Sequence, residues 1–130
     1  MSGGSADCVL LADRHHGLSE GIRGLLASTF EHVFMVADES SLIEGAGRLQ
    51  PAMAVVDLSL GNGDIFGVLL ALRARAPLTK VLLLSVHDEP SVLRSAMGGG
   101  ADGVVLKRDI STELLPAVDA VLAGGRYVSP

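Results

Sequence analysis

The chain has 130 residues, enough for one domain with a real core, and its formal net charge of −5 argues against a nucleic-acid surface, which needs clustered Lys and Arg to neutralise phosphates. Hydrophobic residues make up 48% of it but aromatics only 3%, so the core must be built from Leu, Val, Ala and Ile, the composition of parallel sheets buried on both faces. Cys8 is the single cysteine, which excludes an internal disulfide, and no apolar run approaches the roughly 20 residues of a membrane span.

The opening Met1-Ser2-Gly3-Gly4-Ser5 lacks the basic start and apolar stretch of a secretory signal, so a soluble cytoplasmic protein is expected. Cys8–Ala12 is an apolar run too short for a helix and predicts a buried strand, with Cys8 a core thiol rather than a reactive one. Asp13 follows it directly. Leu18, Ile22, Leu25 and Leu26 then form one helical stripe, although Gly17, Gly21 and Gly24 make that helix depend on packing rather than propensity. His32–Ala37 predicts a second strand. Ser41, with Glu44 three residues on, reads as a capping box opening a second helix.

Met53–Val56 predicts the third strand, closed by Asp57 and followed by the loop Leu58-Ser59-Leu60-Gly61-Asn62-Gly63. Asp64 is a candidate N-cap for a helix whose stripe is Ile65, Leu69 and Leu72. Val81–Leu84 is the fourth strand, with Ser85 at its end. Asp88 is a candidate cap for the fourth helix, and Pro90 suits its first turn. Gly98-Gly99-Gly100-Ala101-Asp102-Gly103 formally spells GxGxxG, but it follows a helix and precedes a strand, the reverse of a dinucleotide site. It reads as a helix stop with glycine in the left-handed region.

Gly103–Leu106 predicts the fifth strand, ending at Lys107. Ser111 is a candidate cap for a fifth helix carrying Leu114, Val118, Val121 and Leu122, in which Pro116 lies deep enough to cost a backbone hydrogen bond. From Gly124 to Pro130 the periodicity stops. That stretch reads as the start of a linker, dividing the chain into a domain over 1–123 and a linker over 124–130.

Five strands alternating with five helices predict a parallel sheet with right-handed crossovers, in which ligands bind outside the carboxyl ends of the strands. Asp13, Asp57, Ser85 and Lys107 each close a different strand and so converge on one rim. Taken singly, Asp57 and Asp13 read equally as turn aspartates, Ser85 as a strand terminator and Lys107 as a surface lysine. The combination carries the inference, because a carboxylate at the end of a buried strand needs a cation or a chemical use. His15 and His16 read as a solvated loop, since adjacent side chains rarely share one metal. His87-Asp88-Glu89 reads as the approach to the fourth helix.

On Val9-Leu10-Leu11-Ala12-Asp13, Val55-Val56-Asp57-Leu58-Ser59-Leu60, Leu82-Leu83-Leu84-Ser85 and Gly100-Ala101-Asp102-Gly103-Val104-Val105-Leu106-Lys107, the chain resembles the receiver domain of bacterial two-component response regulators. The closing Leu122-Ala123-Gly124-Gly125-Arg126-Tyr127-Val128-Ser129-Pro130 is similar to the end of receivers of the NarL/FixJ sub-type, which usually precede a LuxR-like helix-turn-helix. The resemblance implies a flavodoxin-like (βα)5 doubly wound α/β fold, with a parallel five-stranded sheet of order 2-1-3-4-5. It implies that Asp57 accepts a phosphoryl group from a sensor histidine kinase, that Ser85 hydrogen-bonds a phosphoryl oxygen and that Lys107 pairs with its charge. Asp13, the Asp57 carboxylate and the Ser59 backbone carbonyl would hold Mg²⁺, a cation suited to hard oxygen ligands. Phosphoryl transfer asks for positioning and charge neutralisation more than covalent help. The product would re-bias the surface of the fourth helix and fifth strand. DNA would be reached only through a domain outside this chain, no membrane partner is implied, and a homodimer would use the fourth-helix face at Leu93 and Met97 or the first and fifth helices.

Several positions depart from that pattern. Receivers usually carry two adjacent acids after the first strand, whereas here the pair is Asp13-Arg14, which weakens or removes the metal site. Arg14 either clamps Asp57 or its phosphate in the metal's stead, accompanies a loss of phosphotransfer, or is an exposed arginine that slightly lowers Mg²⁺ affinity. Val104 stands where many receivers have a switching aromatic, Ile65 where glycine is common, Gly61 and His16 where proline is common. The alternative function is a degenerate receiver, a phosphorylation-independent interaction module. An aspartyl phosphatase would want a second Asp where Ser59 stands, and a flavin carrier would want aromatics and a Ser/Thr-rich phosphate loop; neither pattern is present.

Overall fold

The computed structural model describes residues 7–60 and 64–129, those at 16–18 by backbone only. The expectations at Gly61 and at the first five residues, and those for the side chains of His16 and Leu18, lie outside the described residues. The elements run β1 (Cys8–Ala12), α1 (His16–Leu26), β2 (His32–Val36), α2 (Glu39–Leu49), β3 (Met53–Asp57), α3 (Ile65–Arg75), β4 (Lys80–Ser85), α4 (Pro90–Gly98), β5 (Gly103–Leu106), α5 (Ile110–Leu122) and β6 (Tyr127–Val128), with a 3₁₀ turn at Lys107–Asp109. All strand pairs are parallel, and the sheet order is β2-β1-β3-β4-β5-β6.

The period-two alternation of the strands sorts their side chains into two cores. Leu10, Val56, Leu83 and Val104 face α2, α3 and α4, where Leu42, Leu69 and Ala96 meet them. Val9, Leu11, Val55, Leu82 and Val105 face α1 and α5, where Ile22, Leu26, Leu114 and Val118 meet them. The inner strands β1, β3, β4 and β5 are buried throughout save for Lys80 at the start of β4, while β2 has no fully buried residue, as an edge strand covered on one side should. Burial raises the pKa of the Cys8 thiol, in keeping with a core residue. Among the described residues no helix is long and apolar enough to cross a membrane.

The expected five-stranded sheet is corrected to six. Tyr127–Val128, in the stretch read as a linker, pairs in parallel with β5. Its side chains explain the attachment: the Ser129 hydroxyl accepts from the Leu106 N–H at 2.9 Å and donates to Glu113 at 2.8 Å, and the Tyr127 hydroxyl donates to the same Glu113 oxygen at 3.0 Å. Gly103 permits this approach, since a Cβ there would lie 3.1 Å from the Tyr127 carbonyl oxygen and 2.8 Å from Leu82 Cδ1.

Helix starts were only partly as expected. Asp64 does cap α3, accepting from the Gly67 N–H at 3.2 Å. The cap of α2 is Asp38 rather than Ser41, whose N–H donates to it at 2.8 Å. Asp88 and Ser111 cap nothing: α4 follows Glu89 with Pro90 in its first turn, and α5 follows Asp109 through the 3₁₀ turn. Pro116 lies inside α5, and Gly100 takes φ 111°, the left-handed conformation expected after α4.

Candidate functional site

Asp57 is the last residue of β3, held between β1 and β4, and Asp13 follows β1 on the same rim. From the end of β5, beyond β4, Lys107 reaches back across the rim. Its Nζ lies 3.0 Å from Asp57 Oδ2 and 3.3 Å from Asp13 Oδ2. The side chains are 4% exposed for Asp57, 0% for Asp13 and 9% for Lys107, so this is a buried ammonium bridging two buried carboxylates. Such a group is justified by geometry and use more than by stability, because desolvating the charges offsets most of their attraction. Burial works to raise the Asp57 pKa. The Lys107 ammonium and the Ser59 N–H, which donates to Asp57 Oδ1 at 3.2 Å, outweigh it and hold the carboxyl below the usual range. Asp57 is therefore ionised at neutral pH.

His15, read from sequence as solvated loop, belongs to this site. Its backbone N–H donates to Asp13 Oδ1 at 2.9 Å, while its ring Nδ1 lies 3.1 Å from that oxygen and 3.5 Å from Asp57 Oδ2. The signal available was the Asp-x-His spacing, since an aspartate commonly bonds the backbone two residues on and so turns that residue over itself. Ser85, the last residue of β4, is completely buried, but its hydroxyl is engaged with the next loop. It donates to the His87 carbonyl at 2.9 Å and accepts from the His87 N–H at 3.0 Å. Ile65 opens α3 and packs in the core beside the rim, and Val104 is wholly buried on β5 beneath α4. A cleft of about 790 Å³ adjoins Asp57 and Lys107, walled by Leu58, Phe66, Val86 and Val92.

Arg14 turns toward the β3–α3 loop. Its Nη2 donates to the Leu60 carbonyl at 2.9 Å and to the Ser59 carbonyl at 3.4 Å. That second oxygen is the one expected to ligate Mg²⁺. Asp13, His15 and Asp57 do present ligand atoms within 4.8 Å of one another. Yet this is a mixed set of carboxylates and an imidazole, and imidazole suits softer cations than Mg²⁺. With a guanidinium on the Ser59 carbonyl and Lys107 on one oxygen of each carboxylate, the residues do not fit the expected Mg²⁺ site.

Comparison with known proteins settles the family. The sequence profile of the response regulator receiver domain matches residues 9–119. This chain belongs to that family. The receiver is 30% identical over 124 residues to the transcriptional regulatory protein DegU of Brevibacillus brevis, covering 94% of this chain and 52% of DegU. It is 33% identical over 124 residues to the probable transcriptional regulatory protein NarL of Mycobacterium tuberculosis, covering 94% of this chain and 57% of that one. The receiver thus spans little more than half the length of these relatives. The crystal structure of the non-phosphorylated receiver domain of the stress response regulator RcsB from Escherichia coli superposes with a TM-score of 0.80 at 26% identity, covering 95% of this receiver and 98% of that domain.

Proposed function

We propose that this receiver accepts a phosphoryl group on Asp57 from a sensor histidine kinase in the cytoplasm, and that the resulting change of shape controls an output domain joined through the segment after residue 123. The observation that carries this reading is the Lys107 ammonium held 3.0 Å from a buried, ionised Asp57 at the open end of the sheet. In the transfer step an Asp57 oxygen forms the bond to phosphorus. The donor's P–N bond breaks with its electron pair leaving on the imidazole nitrogen, which takes a proton from solvent. Lys107 stabilises the charge gathering on the phosphoryl oxygens, a role for a fixed donor in a site shielded from water.

Ser85 supplies the response. To meet a phosphoryl oxygen its hydroxyl must leave the His87 carbonyl, untying the loop that leads into α4. The same loop is held at Asp88 by Arg108, at 2.9 Å, so the tether on one side of the switch is a buried hydroxyl and on the other an exposed ion pair. The output is DNA binding, supported by the transcriptional regulators among the relatives. Turnover chemistry is not proposed, since the phosphoryl group resides on the protein itself. A second reading, a phosphorylation-independent interaction module, is favoured by one observation: Arg14 already occupies the Ser59 and Leu60 carbonyls. Labelling with a small phosphodonor decides between them. Wild type takes up one phosphoryl group and Asp57→Asn takes up none. A folded wild type that stays unlabelled leaves the interaction module standing.

A further inference from the structure

We propose that the Arg14 guanidinium takes the place of a divalent cation at this site, so that Asp57 is phosphorylated without Mg²⁺. The inference deepens the reading of Asp57 as phosphoacceptor and rests on it for its catalytic consequence. Its structural half stands on geometry and charge. Arg14 donates to both carbonyls of the β3–α3 turn, Ser59 at 3.4 Å and Leu60 at 2.9 Å, which is the gathering of loop oxygens that a bound cation would perform. Lys107 already partners one oxygen of each carboxylate, and Arg14 adds a second positive charge on the adjoining loop.

The carboxylate oxygens are engaged in the same way. Asp13 Oδ1 accepts from the His15 N–H, Asp57 Oδ1 from the Ser59 N–H, and the two Oδ2 atoms share Lys107. Among the described residues no buried side-chain polar atom lacks a partner. A dication entering here would meet the Lys107 ammonium on both Oδ2 atoms, and like charges repel. When phosphorylation exchanges the Asp57 charge for a phosphoryl group of about −1.5 to −2, the added negative charge falls beside Lys107 and next to the loop that Arg14 holds. A planar guanidinium fork is suited to phosphoryl oxygens.

The test has two arms. In the first, the free domain is titrated with Mg²⁺ while the amide resonances of Ser59 and Leu60 are followed by NMR. Wild type is expected to show no saturable shift. Arg14→Asp, which exchanges a positive for a negative charge beside the Ser59 carbonyl, is expected to bind Mg²⁺ roughly tenfold or more tightly. Equal affinity of wild type and Arg14→Asp overturns the proposal. In the second, the protein is labelled with phosphoramidate in EDTA and in Mg²⁺. Wild type is expected to label equally well in both. Arg14→Ala is expected to lose roughly tenfold to a hundredfold in EDTA, with partial recovery in Arg14→Lys, which keeps the charge but not the fork. Wild-type labelling that requires Mg²⁺ also overturns it. If a folded wild type labels in neither buffer, the phosphoacceptor reading fails, and the titration alone decides whether Arg14 replaces the cation.

Discussion

Lys107 crosses the end of β4 to serve two carboxylates at once, and the cost of removing it differs from the cost of removing either partner. Lys107→Ala would leave Asp13 and Asp57 buried and adjacent without the cation they share. Urea unfolding should show a loss of about 3–5 kcal/mol, the usual penalty for orphaning a buried charge. Asp57→Asn keeps the Asp13–Lys107 pair and should cost less than about 1 kcal/mol, near the lower range of point substitutions. Acid has a related effect. Because the folded pKa of Asp57 lies below its unfolded value of about 3.9, its contribution to stability is complete above that pH and disappears as the pH falls through the folded value. Urea midpoints measured at neutral pH and at successive steps below about pH 4 should therefore fall less steeply in Asp57→Asn than in wild type. At this scale the sequence was informative where a residue closes a strand, as Asp13, Asp57 and Lys107 do, because strand ends define the rim. It marked Arg14 and Ser85 but not their partners, the Ser59 and Leu60 carbonyls and the His87 backbone, which depend on the path of a loop, and His15 was misread for the same reason.

Elements were legible in proportion to their length. Runs of four or five buried residues announced β1, β3, β4 and β5, and the stripes of α1, α3 and α5 had the helical period. β6 has two residues, too few for any periodicity, and it exists because Glu113 and Leu106 anchor its neighbours through Tyr127 and Ser129. The start of α2 lies ahead of Ser41 because the backbone is extended at Asp38, whose carboxylate accepts from the Ser41 N–H. The close contact at Gly103 yields a prediction for β6. Gly103→Ala places a methyl group against the Tyr127 carbonyl and the Leu82 side chain, and should destabilise the domain by about 1–3 kcal/mol, the range for overpacking. Hydrogen exchange should speed up first at the Tyr127 and Ser129 amides, whose acceptors are the Asp102 and Val104 carbonyls.

The whole molecule is two aliphatic cores separated by one parallel sheet, and this architecture followed from alternation alone. Beyond Phe30, aromatics contribute little to it, because Leu and Val on both faces of four inner strands fill most of the space between sheet and helices. What alternation does not determine is which loops are tied down at the rim, and there the structure adds the most. The tie between Ser85 and His87 leads to a prediction at this scale. Hydrogen exchange before and after phosphodonor treatment should show the His87 amide and the first turn of α4 becoming less protected. The α2 and α3 amides, on elements with no bond to Ser85, should remain unchanged.

The Ser129–Leu106 hydrogen bond has a practical consequence. Since β6 runs parallel to its neighbours, the backbone leaves Ser129 at the carboxyl end of the sheet, one bonded step from the residue that precedes Lys107. A fluorescent dye attached just past this serine would sit close to the lysine's anchor point. Any movement of that lysine toward a phosphate would then be read as a change in the dye's emission, with no need to tag the pocket itself.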